Sequence, residues 1–123
     1  MVKNIPEEAY VLVDLNHLRL IFRNLIHNAI KFSTAQSAVT ISAVPAYSFW
    51  KITIQDTGIG MTEQEVNMVL NSNYFTKHGT SQEKGTGLGL MLCREFIRLN
   101  QGKLEVVSKP QAGTSISFFL PVA

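Results

Sequence analysis

Lys84-Gly85-Thr86-Gly87-Leu88-Gly89-Leu90 is the stretch on which the reading of this chain turns. Glycines alternate with other residues, and an apolar helical pattern then begins: Leu88, Met91, Leu92, Phe96 and Leu99 recur at three- and four-residue spacing. A glycine loop is therefore predicted to open straight into a helix. The start of a helix leaves backbone N–H groups unpaired and carries partial positive charge. Glycines let a phosphate come close to those groups. The stretch reads as a cradle for a polyphosphate or as a linker into an ordinary helix, and what precedes it decides between the two.

Composition narrows the choice. The chain has 123 residues, enough for one domain with a real core, and a net charge of +2, too small to argue for nucleic acid. Its basic residues are scattered, not gathered in a block. The single cysteine, Cys93, falls within the last apolar helical pattern and reads as a small core residue; with no second cysteine there is no internal disulfide, which fits a reducing compartment. His17, His27 and His78 have no zinc-ligand spacing with Cys93. No stretch is long and apolar enough to cross a membrane, and no signal peptide is visible.

Taken in order, Tyr10-Val11-Leu12-Val13 reads as a strand, and Asp14 offers an N-cap to a long helix over about 15–32. Leu15, Leu18, Phe22, Leu25, Ile26 and Ala29 make its expected buried stripe. Asn24, Asn28 and Lys31 form one row on the opposite face. Such a row is either a solvated polar face or a set of metal- and phosphate-binding groups, since an asparagine carbonyl can ligate magnesium and a lysine can reach phosphate. Two alternating segments follow, 37–44 and 49–55, with a hairpin over Pro45-Ala46-Tyr47-Ser48 between them, which predicts antiparallel strands.

The second of these strands ends in Asp56-Thr57-Gly58-Ile59-Gly60. An ionised aspartate only accepts hydrogen bonds, and adenine's exocyclic amine donates one. An aspartate-containing turn is the plainer alternative. Thr62 and Glu65 have the spacing of a capping box, which predicts a short helix through about Leu70. The segment 71–85 shows little periodicity, and its place before the glycine run makes it a candidate lid, with Lys77 and Lys84 as either phosphate contacts or solvated charges. After the last helix Gly102 is the expected C-terminal stop, 103–107 and 114–120 are strands, and Pro121 ends the sheet.

Asn24-Leu25-Ile26-His27-Asn28-Ala29-Ile30-Lys31-Phe32, Asp56-Thr57-Gly58-Ile59-Gly60 and Gly85-Thr86-Gly87-Leu88-Gly89-Leu90 stand in a fixed order. That ordered set resembles the ATP-binding domain of sensor histidine kinases, within the group that includes the gyrase, Hsp90 and MutL ATPases, and the resemblance runs from Tyr10 to Pro121. It implies an α+β fold, a two-layer α/β sandwich of the Bergerat type, with about three helices on one face of a mixed five-stranded sheet. By the same resemblance one domain fills residues 1–123. ATP and Mg2+ are the implied cofactors. Asn28 matches the magnesium ligand, Asn24 the phosphate-side position one turn earlier, and Lys31 the basic phosphate contact; these are the implied catalytic residues. Asp56 matches the carboxylate that reads the adenine amine, with Gly58 and Gly60 beside the ring. Thr114 resembles the threonine that shares an adenine-bound water. Gly85, Thr86, Gly87, Leu88 and Gly89 match the motif that closes over the triphosphate. Phe75 resembles the lid aromatic that helps dock the phospho-acceptor domain.

Two departures carry information. Asn24 stands where the water-splitting ATPases of the group have a glutamate base, and an amide cannot take a proton in that role, so the resemblance points to transfer rather than hydrolysis. Phe32 stands where many members have tyrosine. None of the three histidines has the acceptor motif around it, so the expected partners are an upstream dimerisation and acceptor domain outside this chain and a response-regulator receiver domain, with no nucleic acid and no membrane contact. A cytoplasmic domain is implied, of a parent that the family allows to be anchored in the inner membrane. The rival readings are a serine kinase of the anti-sigma-factor type and a non-catalytic ATP-dependent switch.

Overall fold

The computed structural model describes residues 2–31, 38–71 and 88–123. The elements run β1 (Val2–Asn4), α1 (Leu15–Lys31), β2 (Val39–Ala46), β3 (Phe49–Asp56), α2 (Glu63–Asn71), α3 (Leu88–Leu99), β4 (Lys103–Ser108) and β5 (Thr114–Pro121). The five strands form one sheet in the order β1-β2-β3-β5-β4. β1 runs parallel to β2 and every other pairing is antiparallel, so the sheet is mixed.

Alternation sets the faces of the strands. Val39, Ile41 and Ala43 of β2, Trp50, Ile52 and Ile54 of β3, and Ile116, Phe118 and Leu120 of β5 all point into one core. From the helices, Ile21, Leu25 and Ala29 of α1 and Leu90, Cys93 and Ile97 of α3 meet them. Fully burying one such aliphatic or aromatic side chain contributes about 1.5–3 kcal/mol, so these contacts dominate the stability of the fold. Phe22 and Phe118 meet in a T-shaped arrangement, with ring centroids 5.6 Å apart. On the sheet's other face Thr53 and Ser117 share a hydroxyl hydrogen bond of 2.8 Å, and the Lys51 and Lys103 ammonium groups lie 5.8 and 4.9 Å from the centre of the Phe119 ring.

Local signals hold where the partner is near in sequence. The Asp14 carboxylate accepts from the N–H groups of Asn16 and His17 at 2.9 and 3.1 Å, capping α1. Thr62 N–H donates to Glu65 Oε1 at 2.9 Å and Glu65 N–H donates to Thr62 Oγ1 at 3.2 Å, the reciprocal capping box at the start of α2. Asn100 joins the N-terminal end of α1 to the C-terminal end of α3: its Oδ1 accepts from Asp14 N–H at 2.9 Å, and its Nδ2 lies 3.0 Å from His17 Nδ1. His17 stacks on Phe96, with ring centroids 4.4 Å apart.

Four expectations need correction. Residues 10–13 form no strand: Val11 makes an isolated bridge to Val122, and the sheet's additional strand is β1, which pairs non-locally and is too short to show a period. Leu15 is 58% exposed, because the buried stripe runs through Ile21, Leu25 and Ala29. Asn24 and Asn28 are half-buried beside that stripe and not opposite it, each lying one residue, about 100° of helix rotation, from Leu25 and Ala29. At the end of α3 the left-handed residue is Gln101, with φ 66°. Gln101 N–H donates to Arg98 O at 3.1 Å and Gly102 N–H to Ile97 O at 2.9 Å, the paired bonds of a Schellman turn. Glycine is required at 102 for a different reason: a Cβ there would lie 2.0 Å from the Phe119 carbonyl oxygen.

Candidate functional site

The residues that could do chemistry gather where the strands end. Asp56, the last residue of β3, lies directly opposite Thr114, the first residue of β5, and Thr114 lies directly opposite Ser108, the last residue of β4. Cross-strand partners point to the same face, so the three side chains form one polar row. Both Asp56 and Thr114 are buried. The Asp56 carboxylate accepts from Gly58 N–H at 2.9 Å. Burial pushes its pKa above the usual 3.8, while the Gly58 and Thr114 amides pull it the other way.

Asp56 and Thr114 open onto a narrow cavity, part of it continuous with solvent. Leu25, Ala29, Ile54, Met61, Leu90 and Ile116 give it apolar walls, and Asn28 and Gly60 complete the lining. An apolar slot with a buried carboxylate at one end suits a flat ligand that carries a hydrogen-bond donor on its edge. The carboxylate supplies direction, and the walls supply area.

The loops around Asp56 are fixed by backbone contacts. Gly60 has φ 69°, and a Cβ there would sit 1.9 Å from the Lys109 carbonyl oxygen. Gly113 has φ 84°, and a Cβ there would sit 2.1 Å from the Asp56 carbonyl oxygen. Both glycines therefore let the loop after β3 and the β4–β5 hairpin close on each other, a demand of the protein's own backbone. Gln111 N–H donates to Ile59 O across the same junction.

Of the residues singled out from sequence, the structure brings Asn28, Asp56, Gly60 and Thr114 to one cavity. Gly58 is buried beside it, held to Asp56. Asn24 faces α3: a Cβ on Gly89 would be 3.5 Å from Asn24 Cγ, an ordinary packing distance. The Asn24 amide also hydrogen-bonds the Cys93 thiol, whose pKa burial pushes up to about 12. Cys93 is thus a core residue, fully buried, with its Sγ 3.7 Å from the Ile21 carbonyl. Lys31 is the half-buried last residue of α1. Phe75, Gly85, Thr86 and Gly87 lie outside the described residues, as do Phe32, Lys77, His78, Lys84 and the side chain of Leu88.

Nothing in the sequence marks Ser108, or shows that Leu25, Met61, Leu90 and Ile116 together form one apolar wall. A lone serine at a strand end has no periodic signature. The one available signal was the hairpin itself, which places 108 opposite 114. Among the described residues, no group of three or more His, Cys, Asp or Glu stands together to hold a metal, and no helix is long and apolar enough to cross a membrane.

Comparison with known proteins agrees with this architecture. Residues 13–123 match the family described as histidine kinase-, DNA gyrase B-, and HSP90-like ATPase. The chain is 34% identical over 122 residues to the sensor protein EvgS of Escherichia coli (strain K12), a match that covers 95% of this chain and 10% of that protein. It is 36% identical over 118 residues to the histidine protein kinase DivJ of Caulobacter vibrioides, covering 95% of this chain and 20% of that protein. The chain therefore spans a fifth or less of either relative. The solved catalytic domain of histidine kinase ThkA superposes with a TM-score of 0.78 at 23% identity, covering 98% of this chain and 76% of that one, a likeness of fold.

Proposed function

This chain belongs to the histidine kinase-, DNA gyrase B- and HSP90-like ATPase family, and on that premise we propose that it is the ATP-binding catalytic domain of a sensor histidine kinase. The observation that carries the reading is the buried Asp56 carboxylate at the end of an apolar cavity, with Asn28 on the cavity wall. The lining suits an adenine ring: Asp56 would accept from its amine, and Leu25, Met61 and Leu90 are among the apolar side chains that would lie against the base.

Asp56 accepts from the exocyclic amine and fixes the edge of the base. Asn28, on the cavity wall, would hold magnesium through its side-chain oxygen, and the ion would supply charge neutralisation at the phosphates. That arrangement suits a site where, among the described residues, no carboxylate cage is present. Lys31 and the glycine motif at 85–89 offset phosphate charge. Bound Mg-ATP supplies the γ-phosphoryl group, and the acceptor is a histidine on a separate dimerisation domain of a longer parent. Catalysis is mostly positioning and charge neutralisation. Asn24 cannot act as a base toward water, which favours transfer to a nucleophile that brings its own lone pair. A response-regulator receiver domain is the next carrier of the phosphoryl group.

The test mixes the chain with Mg-ATP and a separately produced acceptor domain. Phosphate that appears on histidine, labile to acid and stable to base, is the expected result. Asn28→Ala is expected to abolish transfer while the circular dichroism spectrum stays native. Phosphorylated serine in place of histidine favours a serine kinase, and tight ATP binding with no transfer to any acceptor favours a nucleotide-dependent switch.

A further inference from the structure

Ser108 closes a hydrogen-bond inventory that fixes what the cavity can accept. Its Oγ receives the Met61 N–H at 2.8 Å, lies 2.9 Å from the Gly113 carbonyl oxygen, and lies 2.7 Å from Thr114 Oγ1. A serine hydroxyl has one proton and two lone pairs. The Gly113 carbonyl only accepts, so it takes the Ser108 proton. The Met61 amide only donates, so it takes one Ser108 lone pair. A lone pair is all that remains toward Thr114. The Thr114 hydroxyl is therefore the donor of that pair, and its single proton is spent on Ser108.

The consequence reaches the cavity along the row. Thr114, which lines the cavity, has only lone pairs left to offer. Asp56 beside it accepts through both oxygens once ionised. The polar end of the slot thus accepts on both side chains and donates from neither.

We propose that Ser108 is a specificity-determining residue of the nucleotide site: by holding the Thr114 proton it makes the polar end of the cavity accept only, which selects a 6-aminopurine over a 6-oxopurine. The amino group brings two N–H donors to two acceptors. A 6-oxo group brings its own lone pairs against those of Asp56 and Thr114, and a buried acceptor facing an acceptor goes unpaired at full desolvation cost. The proposal rests on the ATP reading above and adds to it a residue that touches no ligand and acts through Thr114.

Calorimetric titration of the whole chain with Mg-ATP and with Mg-ITP tests this. The native chain is expected to prefer ATP. Ser108→Ala releases the Thr114 proton, which can then turn toward a 6-oxo group, and the ratio of ATP to ITP affinity is expected to fall by about three- to tenfold, the worth of one hydrogen bond. Ser108→Thr keeps the hydroxyl and is expected to keep the ratio. In a Thr114→Val background the Ser108→Ala change is expected to leave the ratio where Thr114→Val put it, since the two act as one unit. Should Ser108→Ala fail to fold, Ser108→Cys, with its weaker donor and acceptor, is expected to shift the ratio in the same direction by less. A folded Ser108→Ala chain that loses both affinities by one factor, ratio unchanged, overturns the inference and leaves the ATP site intact. A native chain that binds neither nucleotide removes the ATP reading and this inference together.

Discussion

Ile54 and Asp56 stand two residues apart on β3 and point to the same face, yet the rows that cross the sheet at these positions differ in kind. Through Ile54 the row reads Ile41, Ile54, Ile116 and Val106; through Asp56 it reads Val39, Asp56, Thr114 and Ser108. The first row is wholly apolar and belongs to the core. The second keeps Val39 on β2 and turns polar on the other three strands. The backbone lattice is the same in both. The difference teaches that the site is one pleat of an ordinary sheet in which side chains have been exchanged, and that its position at the strand ends leaves the neighbouring loops free to approach. Burying Asp56 opposes folding, and the adjacent apolar rows offset that cost.

The comparison breaks most visibly if the apolar row proves dispensable. Ile54 is 1% exposed, and Ile54→Ala is expected to cost about 2–5 kcal/mol in denaturant titrations; a loss well under 1 kcal/mol would contradict its place in the core. Asp56→Asn makes the opposite test on the next pleat. It removes a buried charge, so the ligand-free chain is expected to melt at a higher temperature. ATP affinity is expected to fall by roughly ten- to a hundredfold, as for a hydrogen bond to a charged acceptor. Unchanged ATP affinity would detach Asp56 from the base.

A pH series sharpens the same contrast. The Asp56 pKa is raised in the folded chain, chiefly by burial. Its contribution to stability is therefore complete below the ordinary carboxyl value of 3.8 and is lost as pH rises through the raised folded value. ATP binding has the opposite slope, since the ionised carboxylate is the better acceptor, and is expected to weaken as pH falls through the same range. In Asp56→Asn both slopes attributable to this group should vanish. The smallest effect lies away from both rows: Thr62→Ala breaks the capping box and is expected to cost about 1 kcal/mol, with nucleotide affinity unaltered.

What could be read from sequence follows from where each partner sits. Strands β2, β3 and β5 announce themselves by alternation, and the Thr62–Glu65 box by a spacing of three, because their signals are local. Asp56 was legible because a carboxylate followed by Gly58 and Gly60 is an unusual end for a strand. Ser108 was not, since its meaning comes from Met61, Gly113 and Thr114, which the hairpin register and a long-range loop contact bring to it. At Gly102 the sequence signal points to a helix stop, but the left-handed turn belongs to its neighbour Gln101, and Gly102 yields room to Phe119. The flank of the α1 asparagines is not legible in sequence, because a helix wheel gives angles and not neighbours, and α3 supplies the neighbour for Asn24.

The Phe119 ring with its two lysines has a consequence for the molecule as a whole. A sheet face against which no described helix packs invites a second sheet to stack on it. Here any such visitor would have to strip water from the Lys51 and Lys103 ammonium groups, and two copies meeting through this face would bring four like charges together. The cations thus act as fenders: they shade an aromatic surface from water and at the same time keep other sheets at a distance, leaving self-association through this face disfavoured most at low ionic strength.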